Sequence, residues 1–265
     1  LGYQYTIKVG EEWKGCVDEK TEILTKTGWK KWNEVSNNSE FVTVNPKTKE
    51  IEYQKPREIV VKNHNGDMYS FKGRSVEQLL TPYHRTPYIS QYQRLNKDDT
   101  WREKSASEIL KSDYLPLATN GSNQKGNKYP DYIVELLGWI ITEGSYYKNP
   151  KNERITIVQY TQSKRPLIEN LLNQLPYAWH LNKRGDFCIA QKGSKYIYSI
   201  LPEKKLTFDL INQLSRNQME LLYKSLIAGD GVVTETNTSF SQVKEETIDA
   251  FQYLCILIGR QSKKI

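Results

Sequence analysis

The sequence predicts an all-β module followed by an α+β region built on a repeated helix–strand–strand–helix unit, and three observations carry that division. Residues Thr21 to Ser90 alternate short β-rich runs with turn signals; residues 117–130 collect Asn, Gly, Ser, Gln and Lys; and from Tyr132 onward an apolar helix twice leads into strands. At 265 residues, 37% of them hydrophobic, the chain is long enough to close two small cores.

In the first module, placed at residues 16–118, Thr27-Gly28, Asn45-Pro46-Lys47 and Asn65-Gly66-Asp67 punctuate runs such as Phe41-Val42-Thr43-Val44 and Arg57-Glu58-Ile59-Val60-Val61. A linker is expected at 119–131, where apolar content falls. The second module, 132–265, opens with a helix over Tyr132–Glu143, a strand over Arg154–Gln159 with period-two alternation, and a helix over Arg165–Leu175 with i, i+3, i+4 spacing. Strands near Trp179–Asn182 and Phe187–Ala190 and a helix from Ser194 complete a first unit, 132–212. The order restarts at 213 with a helix ending at Asp230-Gly231, a strand near Thr238–Ser241 and a helix over Glu245–Ile258, so the second unit, 213–265, is incomplete.

A net charge of +7, with 18 tyrosines and 6 tryptophans, suits a protein that tracks phosphate backbones, although charge alone is a weak signal. Cys16, Cys188 and Cys255 stand at unrelated spacings, which argues against a disulfide framework and for a reducing compartment. No apolar stretch approaches a membrane span and the N-terminus lacks a signal pattern, so a cytoplasmic, intracellular protein without a membrane partner is expected.

Two constellations carry chemistry. In the first, Cys16 follows Gly15, and a thiol beside an amide carbonyl forms a thioester when the leaving nitrogen is protonated. His84, in Leu79-Leu80-Thr81-Pro82-Tyr83-His84-Arg85, is placed to supply that proton, with Thr81 three residues ahead to fix the carbonyl oxygen. Taken singly, a lone cysteine is most often a small buried hydrophobe. Together with Val17 to Thr25 and Gly28-Trp29, these residues resemble the N-terminal blocks of the intein family, and the first module is similar to a Hint (hedgehog/intein) fold. That resemblance implies an N-to-S acyl shift at Gly15-Cys16 without a cofactor, residues 1–15 as the tail of an N-extein, and host extein sequences as partners in cis. It also implies a terminal His-Asn followed by Cys, Ser or Thr; His64-Asn65 precedes Gly66 and is not that motif, so the chain is expected to be a fragment lacking its C-terminal part. His64 and His180 are expected at surface or packing positions.

In the second, Leu136-Leu137-Gly138-Trp139-Ile140-Ile141-Thr142-Glu143-Gly144 and Tyr223-Lys224-Ser225-Leu226-Ile227-Ala228-Gly229-Asp230-Gly231 are apolar runs with a small central residue, closing on a carboxylate and a glycine. Small residues let two helices pack closely, with a carboxylate at each adjacent C-terminus. The pair resembles a double-motif LAGLIDADG (dodecapeptide, DOD-type) homing endonuclease of αββαββα architecture. By that resemblance Glu143 and Asp230 bind Mg²⁺ or Mn²⁺, and a monomer cuts both strands of double-stranded DNA at the intein-free host gene site. It further implies Gln162 as a water-ordering side chain and Lys204 as the cleft lysine, although Thr207 stands where the family's Lys-x-Ile-Pro block has proline. Strands near Lys183, Arg184 and Lys192 are expected to form half of a saddle-shaped sheet on DNA, with these cations on phosphates. Two other readings stand beside this one: a non-catalytic LAGLIDADG-fold DNA-binding module, and a Hint autoprocessing domain without DNA function.

Overall fold

The computed structural model describes residues 2–8, 15–73, 76–149 and 152–264. It is a mixed α/β structure with antiparallel sheets, and it divides into two compact units, Leu1–Asn123 with Gly259–Lys263, and Gln124–Ile258 with Lys264.

The first unit is β-rich. Its strands among the described residues are β1 (Gly2–Lys8), β2 (Val17–Asp18), β3 (Ile23–Thr25), β4 (Gly28–Lys30), β5 (Phe41–Val44), β6 (Ile51–Gln54), β7 (Glu58–His64), β8 (Tyr69–Lys72), β9 (Glu77–Leu80), β10 (Arg85–Tyr88) and β11 (Arg102–Ser105), joined by the short α-helix α1 (Gln91–Leu95) and two 3-10 turns, Trp32–Glu34 and Ala106–Glu108. They form a five-stranded sheet in the order β7-β1-β2-β9-β8, a four-stranded sheet in the order β4-β3-β5-β6, and the pair β10-β11. The turn chemistry is local. Gly28 takes a φ of 131° to close the β3–β4 hairpin, where the Thr25 hydroxyl donates to its carbonyl at 2.7 Å. Asn45 folds its side-chain oxygen onto the N–H groups of Lys47 and Thr48, at 3.0 and 3.3 Å, which starts the β5–β6 hairpin. Leu24, Phe41, Ile51 and Leu80 supply the buried apolar face. Of the segment expected to be an extein tail, Gly2–Lys8 is an interior strand of the five-stranded sheet, and residues 9–14 lie outside the described residues.

Residues 119–130 contain no helix or strand, yet they are tied down. Asn120 N–H donates to Lys49 O at 2.7 Å and Ile51 N–H to Gly121 O at 2.8 Å in the first unit. In the second, the Gln124 amide donates to Asn212 O and Leu214 O, at 2.6 and 2.9 Å.

The second unit contains α2 (Asp131–Glu143), β12 (Gly144–Asn149), β13 (Asn152–Ile157), α3 (Arg165–Asn173), β14 (Trp179–Leu181), β15 (Phe187–Ile189), α4 (Gln191–Ile200), α5 (Phe208–Asn212), α6 (Arg216–Asp230), β16 (Gly231–Val233), β17 (Thr238–Phe240) and α7 (Glu245–Leu257). The order α2-β12-β13-α3 thus recurs as α6-β16-β17-α7. The helices start where their caps demand: Pro130 precedes α2, and Ser215 caps α6 by accepting from Gln218 N–H at 3.2 Å, with the Gln218 side chain returning to Ser215 N–H. The first repeat closes a four-stranded sheet, β12-β13-β15-β14, whose Ile155, Ile157, Phe187 and Ile189 are fully buried. Buried Ser194 of α4 stitches two strands by accepting from Ile155 N–H and donating to Ile189 O, both at 3.0 Å. The second repeat has only the β16–β17 hairpin among the described residues. Among the described residues no helix is long and apolar enough to cross a membrane.

Candidate catalytic centres

In the second unit, α2 and α6 approach until a glycine of each lies against a side chain of the other. A Cβ built on Gly138 would lie 1.9 Å from Ser225 Oγ, and one on Gly229 would lie 2.1 Å from Thr142 Oγ1. Contacts 138 to 225 and 142 to 229 keep the same order along both helices, so the helices run parallel and end together. Buried hydroxyls at this seam are satisfied within their own helices: Thr142 Oγ1 donates to Gly138 O at 3.1 Å, and Ser225 Oγ to Leu222 O at 3.0 Å. Glu143 and Asp230, one residue past the last contacts, therefore converge at one end.

Their electrostatics follow from that convergence. Burial, and next the neighbouring Asp230 charge, push the Glu143 carboxyl above its ordinary value; Lys164, the Gln159 amide and Lys204 act in the opposite direction. Lys204 is held below the usual lysine range by burial, against the pull of Asp230 and Glu143. Each carboxylate receives an amide: Gln159 Nε2 donates to Glu143 Oε1 at 2.8 Å, and Gln242 Nε2 donates to Asp230 Oδ2. A lysine also sits on the carbonyl just before each carboxylate, Lys204 on Thr142 O at 2.8 Å and Lys164 on Gly229 O at 3.3 Å. These cations face the negative end of a helix dipole as well as the carboxylates. Glu143, Asp230 and Lys204 are thus brought together.

Gln162 is not in this cluster. It is exposed in the turn before α3, and Gln159, only 5% exposed, holds the amide position. The signal was in the strand: Gln159 continues the inward phase of Ile155 and Ile157, so it is a polar residue on a buried face. Gln242, Lys164 and Thr142 are further members that the sequence did not single out. Lys183 and Arg184 are exposed in the turn joining β14 to β15, where Asn182 Oδ1 accepts from Arg184 N–H at 2.8 Å and Asp186 N–H at 3.0 Å. Lys192 lies in the first turn of α4 rather than on a strand. Gly193 is a packing glycine inside α4: a Cβ there would meet Ile189 Cγ2 at 2.8 Å and Tyr177 Cβ at 2.9 Å.

In the first unit, Cys16 is 1% exposed beside β2, and the single pairing of Val17 with Leu80 sets it opposite Thr81. Thr81 Oγ1 accepts from Cys16 N–H at 2.9 Å and lies 3.3 Å from Cys16 O, to which Thr81 N–H also donates at 3.1 Å. The Thr81 hydroxyl thus meets the nitrogen of the Gly15–Cys16 bond, and the carbonyl it approaches is that of Cys16. His84 stands directly behind. Gly15 has a φ of 97°, and a Cβ there would fall 2.3 Å from His84 Cα, so this backbone contact admits only glycine. His84 Nδ1 is buried without a hydrogen-bond partner among the described residues. Burial holds this imidazole below its ordinary pKa, with the Cys16 carbonyl opposing the shift.

No family model matches the sequence. The chain is 22% identical over 260 residues to an ATP-dependent Clp protease proteolytic subunit from Chlamydomonas moewusii, with 84% of this chain and 25% of that protein covered. It therefore spans a quarter of the length of that relative. Among solved structures it is similar to that of I-DmoI in complex with DNA and Ca, with a TM-score of 0.37 and 15% identity over 47% of this chain and 70% of that one.

Proposed function

We propose that the chain is an intein fragment whose second unit is a metal-dependent LAGLIDADG-type endonuclease and whose first unit is a Hint-type module that breaks its own Gly15–Cys16 bond. The observation that carries the endonuclease reading is the close approach at Gly138–Ser225 and Thr142–Gly229, which delivers Glu143 and Asp230 to one end of a parallel helix pair. The donor set fits a hard divalent cation: two carboxylates offer oxygen ligands, and the mutual repulsion felt by Glu143 is what such an ion relieves. Among the described residues no third His, Cys, Asp or Glu joins them, so Glu143 and Asp230 would hold the ion, with water and DNA phosphate oxygens as its other ligands. When bound, Mg²⁺ or Mn²⁺ supplies charge neutralisation and an acidified water. The chain's own groups do the rest. Gln159 and Gln242 fix the carboxylate rotamers, and Lys204 and Lys164 bring positive charge to where the pentavalent phosphate builds up negative charge.

The exposed turn with Lys183 and Arg184 contributes phosphate contacts that set the duplex in place. DNA and a divalent cation are assigned on these residues, and Ca and DNA are also what the I-DmoI structure holds. In the first unit, the Cys16 sulfur attacks the Gly15 carbonyl carbon; the S–C bond forms, the C–N bond breaks, and the thiol proton ends on the Cys16 amine. Thr81 orients that nitrogen, and His84, which packs against Gly15 and whose charged form burial disfavours, is assigned the proton relay.

A cleavage assay on the uninterrupted host gene with Mg²⁺ tests the endonuclease. The parent is expected to make one double-strand break, while Glu143→Gln and Asp230→Asn cut at least about 10²-fold more slowly and still bind DNA. Equal cutting by both variants refutes the two-carboxylate site, and a parent that binds but never cuts with Mg²⁺ or Mn²⁺ is a binding module.

A further inference from the structure

Arg165 heads α3 in the second unit, and its guanidinium serves two segments far apart in sequence. Nη1 donates to Gln159 O at 2.7 Å, Nη2 donates to Gly185 O at 2.9 Å, and the group lies 4.6 Å from the centre of the Phe187 ring. Gln159 is the residue whose amide meets Glu143, and its other side-chain atom, Oε1, accepts from Thr161 N–H at 2.8 Å. Gly185 belongs to the tight turn that exposes Lys183 and Arg184, and it takes a φ of 83°, so that turn has a defined shape. One planar fork therefore joins the turn to the backbone of the residue whose side chain fixes Glu143. A lysine, with a point charge on a flexible stem, lacks the two parallel donors that such a span requires.

We propose that Arg165 is a positioning residue that couples the basic β14–β15 turn to the Gln159 amide, so that seating DNA on the turn and setting Glu143 are one event. This rests on the endonuclease reading of the same centre. Arg165 itself touches neither carboxylate. Its action runs through Gln159.

The test uses the full chain and the variants Arg165→Lys, Gln159→Leu and their combination. In the DNA-free protein the Gln159 side-chain amide, assigned by its loss in Gln159→Leu, is expected to give two well-separated proton resonances by NMR. In Arg165→Lys these are expected to collapse toward free-glutamine values while the rest of the spectrum stays folded; unchanged Gln159 resonances overturn the coupling. In single-turnover cleavage, Arg165→Lys is expected to be about tenfold slower with DNA affinity within about twofold of the parent. The combined variant is expected to cut no more slowly than Gln159→Leu alone, since both act along one path. Additive losses, or a loss of affinity in step with cleavage, overturn the proposal in favour of a purely structural arginine. A parent that cuts no duplex refutes the endonuclease reading, whereas the amide resonances decide the Arg165–Gln159 link on their own.

Discussion

The two centres are built on opposite electrostatic principles. The second unit gathers charge: Glu143 and Asp230 face Lys164 and Lys204 at the open end of a helix pair, and none of these four residues is fully buried. The first unit gathers neutral groups: Cys16 and Thr81 are buried, and desolvation disfavours a charged His84. The difference matches what the proposed function has each centre act on. A polyanion arrives from solvent, so its site must be open, cationic and able to take a cation between two repelling carboxylates. A bond in the chain's own backbone is already in place, so its site can be dry, with one residue's hydrogen bonds aligning the amide. Under the proposed function, open charge serves an external substrate and closed neutrality an internal one.

The largest effects come from separating the two centres. Cys16→Ala is expected to abolish thiol-induced release of the segment ending at Gly15 while leaving DNA cutting within about twofold, because the units have separate cores. Glu143→Gln is expected to do the reverse, losing at least about 10²-fold in cutting with release unchanged. Mass spectrometry of the thiol reaction and a plasmid assay, run on the same preparations, read both. Cross-effects beyond about tenfold in either direction would break the division of labour.

What could be read beforehand follows the strength of the local signal. The helices α2 and α6 were legible because an apolar run ending in acid-glycine is both a periodicity and a stop signal, and the two together place Glu143 and Asp230. Strand β12 was not, because Ser-Tyr-Tyr-Lys after Gly144 carries no apolar alternation. Gln162 was named by resemblance, as a polar residue after the strand, whereas alternation from Ile155 and Ile157 carries the inward side through Gln159. Lys164 could not be found from sequence at all. Its carbonyl partner, Gly229, lies on another helix and is set by tertiary packing.

Of intermediate size are the glycine contacts, which differ in kind between the centres. Gly138→Ala would press its Cβ on the Ser225 hydroxyl, a side-chain clash worth about 1–3 kcal/mol, measurable as a lower urea midpoint. Adding Ser225→Gly removes both obstructing atoms and is expected to restore most of that loss, less about 1 kcal/mol for glycine in a helix. Gly15→Ala meets backbone instead, His84 Cα at 2.3 Å and N at 2.6 Å, from a φ of 97°. No substitution at position 84, His84→Gly included, is expected to rescue it. Rescue there would show that the first centre is as adaptable as the second.

The smallest expected effect is a pH dependence confined to the first unit. Burial lowers the His84 pKa, so the unfolded chain takes up the proton more readily than the folded one. Well above the ordinary histidine value of about 6.5 both states are neutral there, and His84 adds no pH dependence. As pH falls through that value the unfolded state is protonated first, and stability declines by at most about 1.4 kcal/mol per pH unit until the folded state also binds the proton. The sign is thus a loss on acidification, opposite to that of a histidine held by a carboxylate. His84→Gln keeps a polar, uncharged side chain and is expected to flatten this slope while matching the parent near pH 7.5 to within about 0.5 kcal/mol. Thermal midpoints for parent and variant between about pH 7.5 and pH 5.5 read the difference directly. Parallel curves would mean that His84 is as readily charged in the folded protein as in water, and the dry, neutral character of the first centre would then be wrong.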